Sequence, residues 1–241
     1  MKQSRALFLL LILGLITVAP LQAQKKKKGG ESTTSQNPKA EMFQHHWSIY
    51  EAALSVDDLA VATNSLYQCI ALQPDRIGLK DTLARIYFQR SAWPQCILTS
   101  TQVLEKQPES EAMLELRAVS RASLNLAKDA LSDYEKLYGL TSNPYHLYEI
   151  ATLQFTMRRF GECEQSIARL LKDEALKDQK IVLGTQKSRQ EVPLNAACLN
   201  MRGVVDLEQG RKESAAEFFN AALKLFPEFT LAKNNLELSK K

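Results

Sequence analysis

The residues able to do chemistry are few, and their spacing argues against catalysis. The only histidines are His45, His46 and His146. Adjacent residues on a helix point about 100° apart, so His45 and His46 do not converge on one metal ion. HExxH, CxxC and a carboxylate-rich loop are all missing, so no metal centre is expected. No serine or cysteine sits in a GxSxG elbow, and no P-loop is present to cradle a phosphate. Glu162, Glu164, Asp173 and Glu174 cluster, which a solvated helix face explains. These patterns predict a protein that is not an enzyme and needs no cofactor. A hydrolase or metal-dependent enzyme with an atypical site is the catalytic alternative.

The elements that position these residues follow an internal repeat. Pro74 and Pro108 lie 34 residues apart, each ending an apolar-periodic stretch (CIALQPD, VLEKQPE). Three further positions, Ser142, Ala175 and Pro227, continue the series at intervals of 34, 33 and 52, the last being one period plus an 18-residue insertion. At fixed offsets before each, small residues recur: Ala84 and Ala118, then Ala62, Cys96, Ala130 and Cys163. The last unit has Gly203, Ala215, Phe219 and Ala222, with Gly210 between its helices. Antiparallel helices approach closely only where side chains are small, and a single helical hairpin cannot bury its apolar faces alone, so the units must stack.

The reading is therefore all-α, a superhelix (solenoid) of about five helical hairpins over 41–241, with units near 43–76, 77–110, 111–143, 144–175 and 194–228. Helices are expected near 41–55, 57–72, 76–89, 93–106, 110–124, 127–139, 144–157, 160–172, 195–209 and 211–225. A capping helix follows at 229–239. The insertion spans 176–193, and within it Lys180 to Glu191 reads as an extended, mobile and exposed loop.

The apolar and charged fractions, 45% and 24%, are those of a chain that folds. Of 31 basic residues, six lie at the N-terminus: Lys2, Arg5 and Lys25 to Lys28. The remaining 25 face 27 acidic residues, so the folded body lacks the basic footprint of a nucleic-acid binder. Residues 1–23 read as a signal peptide: Lys2 and Arg5, an apolar run from Leu7 to Ala19, Pro20, then Leu21-Gln22-Ala23 before the cut. That run spans about 20 Å, short of the hydrocarbon core. The expected location is thus periplasmic or secreted. Residues 24–40 read as a disordered Lys-rich linker, whose Lys25–Lys28 run is the expected point of any membrane contact unless the signal stays uncleaved.

In such a compartment the four cysteines need a reading. Cys69, Cys96 and Cys163 occupy slots that want small residues, so buried free thiols are expected. A disulfide between Cys163 and Cys198 is the alternative, because their helices become neighbours if the insertion loops out.

The fifth unit, LNMRGVVDLEQGRKESAAEFFNAALKLFPE, carries the pattern most completely, with Gly203, Gly210, Ala215, Phe219, Ala222 and Pro227. As a set, the five units resemble the tetratricopeptide repeat (TPR) family. The resemblance implies a non-catalytic scaffold that binds a partner peptide or helix in a concave groove lined by the first helices. Helix periodicity places Trp47 and Glu51 on that face, then Asp81, Arg85 and Phe88, then Glu115 and Val119. Tyr145, Tyr148 and Phe155 follow, then Asn200, Val204 and Leu207. The Lys/Asn/Lys/Arg clamp by which some family members hold a C-terminal carboxylate is missing, because its slots hold Trp47, Glu51, Thr82, Ala112 and Leu116. A bacterial-envelope scaffold is the expected role. A membrane-tethered assembly or secretion factor is the alternative.

Overall fold

The computed structural model describes residues 37–173, 179–184 and 189–241. The expected signal peptide, the linker up to residue 36, Glu174 and Ala175 lie outside the described residues. The described chain forms α1 (Pro38–Ser55), α2 (Leu59–Leu72), α3 (Ile77–Gln89), α4 (Trp93–Leu104), α5 (Glu111–Ser123) and α6 (Ala127–Thr141). It continues with α7 (Pro144–Thr156), α8 (Phe160–Leu171), strands β1 (Lys180–Leu183) and β2 (Gln190–Pro193), α9 (Leu194–Glu208), α10 (Lys212–Leu225) and α11 (Thr230–Ser239). Helices pair in sequence, each pair leans on the next, and α11 closes the stack against α10 and α9. The fold is an all-α solenoid of paired helices with a C-terminal helix.

One backbone device recurs at every hairpin turn. Asp57, Ser91, Asn125, Arg158 and Gly210 all have positive φ, between 55° and 77°. Each is followed by an amide that reaches back five residues. Asp58 N–H donates to the Ala53 carbonyl, Ala92 to Tyr87, Leu126 to Arg121, Arg159 to Gln154 and Arg211 to Asp206, all at 2.8–2.9 Å. This satisfies carbonyls that the helix end would otherwise orphan. Only Gly210 adopts the left-handed conformation without steric cost; each of the other four positions costs about 1 kcal/mol. Between units the chain turns at Gln73–Arg76, Gln107–Ser110 and Phe226–Phe229, each closed by an amide bonded to the carbonyl three residues back. Pro74, Pro108 and Pro227 hold the second position of these turns, where a fixed φ is favourable.

The small-residue slots are the contact points. Ala62, Ala84, Cys96, Ala118, Ala130, Ala151, Cys163 and Ala215 are all fully buried. Gly203 is the tightest: a Cβ there would lie 2.5 Å from Cε1 of Phe219, which is itself fully buried.

Two buried carboxylates cross-link the helices. Asp133 on α6 accepts from Arg117 Nη2 at 2.7 Å and Nε at 3.0 Å, and from Arg121 Nη1 at 2.6 Å, while Arg117 also donates to Thr101 Oγ1 on α4. Asp206 on α9 accepts from Arg211 and Ser214. Arg211 and Arg202 also hold Glu164 on α8, at 2.8 and 3.3 Å.

Three expectations need correction. Helix α1 begins at Pro38 rather than at 41, because Asn37 Oδ1 accepts the Lys39 amide at 3.1 Å and Pro38 is preset for a first turn. Lys180 to Glu191 is not wholly an exposed loop. Its described ends form an antiparallel hairpin in which Ile181 pairs with Val192 and Leu183 with Gln190. Val192 is fully buried, and Ile181 and Leu183 pack on the core, while Lys180, Val182 and Glu191 face outward. The alternation KIVL/QEVP thus gives the hairpin one apolar face. Third, the alternative of a Cys163–Cys198 disulfide falls away, because the four cysteines are free and buried, in line with the expected buried thiols. Their thiol pKa values are pushed up to about 12, chiefly by burial, which keeps them protonated and inert.

These contacts set the stability of three variants. Gly203→Ala should destabilise by about 1–3 kcal/mol through overpacking on Phe219. Gly139→Ala, in α6 with no atom within 4 Å of the new Cβ, should instead stabilise by about 0.5–1 kcal/mol. Asp133→Ala should cost about 2–4 kcal/mol, because two arginines lose their shared acceptor. Urea denaturation of the variants checks all three values.

Candidate functional site

Among the first helices, α3 packs on α5, and α9 packs on the closing helix α11. The side chains expected on the outward sides of the first helices behave differently from one another. Trp47 is half-buried, its indole N–H donates to Glu51 Oε1 at 2.8 Å, and its ring stacks on Phe43. Asp81 and Arg85 neutralise each other along α3 at 2.7 Å. Phe88 and Phe155 are half-buried, each resting against an aromatic that opens the following helix, Trp93 at 5.6 Å and Phe160 at 5.8 Å. Glu115 is exposed. These residues line an accessible face.

Three expected groove residues do something else. Tyr148 is 5% exposed and sits among Cys163 and Cys198, so it is a core residue. Burial raises its hydroxyl pKa well above the usual phenol range. Asn200 is 8% exposed and accepts from Asn235 Nδ2 of α11 at 2.9 Å, which consumes it in the cap contact. Tyr145 is half-buried, but its hydroxyl donates to the Lys180 carbonyl at 2.6 Å and pins β1 to the start of α7. Helix periodicity puts each of the three on one side of its helix. It does not show that a neighbour covers that face.

Sequence reasoning missed a cavity of about 660 Å³ where α5, the end of α6 and the start of α7 meet, lined by Glu111, Glu115, Thr141, Tyr145, His146 and Gln179 among others. The Thr141 hydroxyl donates to the Leu137 carbonyl at 2.8 Å, so at 3.0 Å the His146 Nδ1 must be the donor and Thr141 Oγ1 the acceptor. Burial lowers the His146 pKa, opposed by Glu115 and Glu111. Tyr134, whose ring lies 6.2 Å from that of His146, has its pKa raised by burial and then by Glu149 and Glu115. Glu149, on α7, is itself half-buried, and desolvation raises its pKa. Among the described residues no group of three or more His, Cys, Asp or Glu side chains could hold a metal ion. His45 and His46 meet edge to face, their rings 5.4 Å apart. Glu162 is paired with Arg159, and Glu164 with Arg202 and Arg211. No described helix is long and apolar enough to cross a membrane.

With the hairpins, their turns and the shared face in place, the comparison with known proteins is direct. Residues 196–229 match the tetratricopeptide repeat family. The match covers the α9–α10 hairpin and the turn after it. Solved structures share the fold at low identity. YrrB, described as a TPR protein with an unusual peptide-binding site, is 12% identical, with 83% of this chain and 97% of that chain covered and a TM-score of 0.63. A MamA protein is 11% identical over 77% of this chain and 92% of its own, with a TM-score of 0.61. MamA 41-end from Desulfovibrio magneticus RS-1 is 9% identical over 79% and 98%, at 0.59. No curated protein matches the chain by sequence. The TPR fold generally mediates binding of proteins or peptides without catalysis.

The Glu149 shift has a defined sign. A raised carboxyl pKa means that the fold disfavours the charged form. The resulting loss of stability is absent in acid and appears as pH rises through the ordinary carboxylate range. Glu149→Gln should therefore stabilise the protein at neutral pH and give no gain in acid. Urea midpoints at the two pH values test this.

Proposed function

We propose that this chain is a non-catalytic protein–protein interaction scaffold of the bacterial envelope, which holds a segment of a partner along the face formed by its first helices. The observation that carries this reading is the row of half-buried aromatics on that face, Trp47, Phe88 and Phe155, one each on α1, α3 and α7. Aromatics that are packed on one side and open on the other are what a binding surface uses as anchors. The same fold carries a peptide-binding site in YrrB, which supports the reading by analogy. The envelope location rests on the sequence of residues 1–23, and the Lys25–Lys28 run gives a tethered assembly or secretion factor as the variant of the same role. Release of the protein by osmotic shock would support the untethered form, and retention with membranes the tethered one.

Crosslinking in the native cell, with identification of captured partners by mass spectrometry, tests the role. The Phe88→Ala plus Phe155→Ala variant should lose the partners captured by the unaltered chain, each true anchor contributing about 1–4 kcal/mol. Retention of every partner by a folded variant would refute the groove.

A further inference from the structure

The turns inside the helical pairs lie along one edge of the stack, because each joins a first helix to the second helix it packs against. Two positions beside these turns recur in every unit, four and nine residues after the aligned Tyr50, Ala84, Ala118, Ala151 and Gly203. They hold Leu54 and Leu59 in the first unit, Phe88 and Trp93 in the second, Phe155 and Phe160 in the fourth, and Leu207 and Lys212 in the fifth. The third unit alone has a small residue at both, Ala122 and Ala127. Where the second and fourth units set an aromatic pair across the turn, with rings 5.6 and 5.8 Å apart, the third sets two methyl groups. Its turn leucines, Leu124 and Leu126, are left 38% and 43% exposed. Helix α5 packs on α3 and α4, and α6 packs on α7, so this apolar recess stands between the two aromatic pairs.

A matching protrusion sits on the same edge. Val56, in the turn of the first unit, is 74% exposed, more than any other large apolar side chain among the described residues. Turn tips are normally polar, and a valine facing water there contributes nothing to the core of its own chain. Asp57 and Asp58 follow it directly. Asp58 accepts the Val61 amide at 3.1 Å, while the Asp57 carboxylate has no ion pair among the described residues. The cations beside the recess are Lys128, next to Ala127, and Arg90, in the turn of the second unit. Both are exposed and have no ion pair among the described residues, and Asp129 is a carboxylate beside them.

We propose that two copies of this chain pair edge to edge and antiparallel, about a two-fold axis through the turn of the second unit, with Val56 of each copy seated in the Ala122–Ala127 recess of the other. Symmetry fixes the register. When the first unit faces the third unit of the other copy, the third faces the first, so both contacts form at once. Asp57 and Asp58 then meet Lys128 and Arg90 of the other copy, and knob and recess match in charge as well as in apolar character. A bilayer fits this edge less well, because the two aspartates flank its most exposed apolar side chain and anionic headgroups repel them. A second copy, by contrast, brings the acidic apolar knob with it. The contact is small, so the dimer is weak and concentration-dependent. This pairing goes beyond the groove reading and does not depend on it.

Sedimentation velocity of the full chain between about 5 and 500 µM tests the pairing, since small interfaces give reversible dimers in such a range. The mass should rise toward that of a dimer. Asp57→Lys and Lys128→Glu should each weaken the dimer at least about tenfold, because each change alters two contacts. The two changes together should restore it to within about threefold of the unaltered chain. Val56→Ser removes the knob and Ala122→Phe fills the recess, and each should weaken the dimer. Leu225→Ser plus Leu238→Ser, which removes comparably exposed leucines from α10 and α11, should leave it unchanged. Circular dichroism checks that each variant is folded, and Val56→Ser, at a position open to water, keeps the test decisive if Ala122→Phe does not fold. A chain that stays monomeric at about 500 µM, a dimer indifferent to Val56→Ser, or a charge swap without rescue would overturn the proposal. A monomer that loses its crosslinked partners on Ala122→Phe would assign the recess to another protein. Val56-dependent sedimentation with phosphatidylglycerol vesicles would assign the edge to a membrane. Either result overturns self-pairing and leaves the groove reading standing.

Discussion

The fold depends on how closely the two helices of each pair can approach. Gly203 is the extreme case, with no room for a methyl group against Phe219. The buried alanines and cysteines at the other slots do the same with a little more space. Close approach lets a larger side chain from the second helix fill the gap, as Leu66, Tyr134, Ile167 and Phe219 do. Each pair is then left with an apolar flank that only the next pair can cover, so the core becomes a strip rather than a ball. Leu116 packs against both the N-terminal and the C-terminal parts of that strip, so it is continuous.

Polar groups inside the strip are accounted for with care. Asp133 and Asp206 are almost wholly removed from water, and each is held by arginines from the helices it joins. Such networks place one helix against another with a directionality that hydrocarbon contact lacks.

Much of the helical layout was legible in the sequence. Apart from the start of α1, every helix begins and ends within two residues of its expected position. The reason is local: small residues at fixed offsets, and prolines at the second position of the turns, act within a single unit. What was not legible depended on distant partners. The β1–β2 hairpin is only four residues long on each side, and its apolar face has meaning only once α9 is beneath it. Tyr145 finds its acceptor 35 residues away, and Asn200 finds its donor at the same separation. Tyr148 and Phe155 share a helix face, yet one is covered and the other is open, a difference set by the neighbouring helices rather than by spacing. The cavity beside α7 escaped for the same reason, since its walls come from α5, α6, α7 and Gln179.

The hairpin also changes how the superhelix flexes. Gln190 bonds both the Glu228 carbonyl and the Thr230 amide at the root of α11, while β1 is fastened to Tyr145 at the head of α7. A small sheet thereby bridges from the fourth pair to the last helix across the pair between them. A ladder of neighbours alone would behave as a spring whose joints yield one at a time. Here the joints near the C-terminus are braced like a truss, so elastic deformation imposed on the molecule concentrates in its N-terminal pairs.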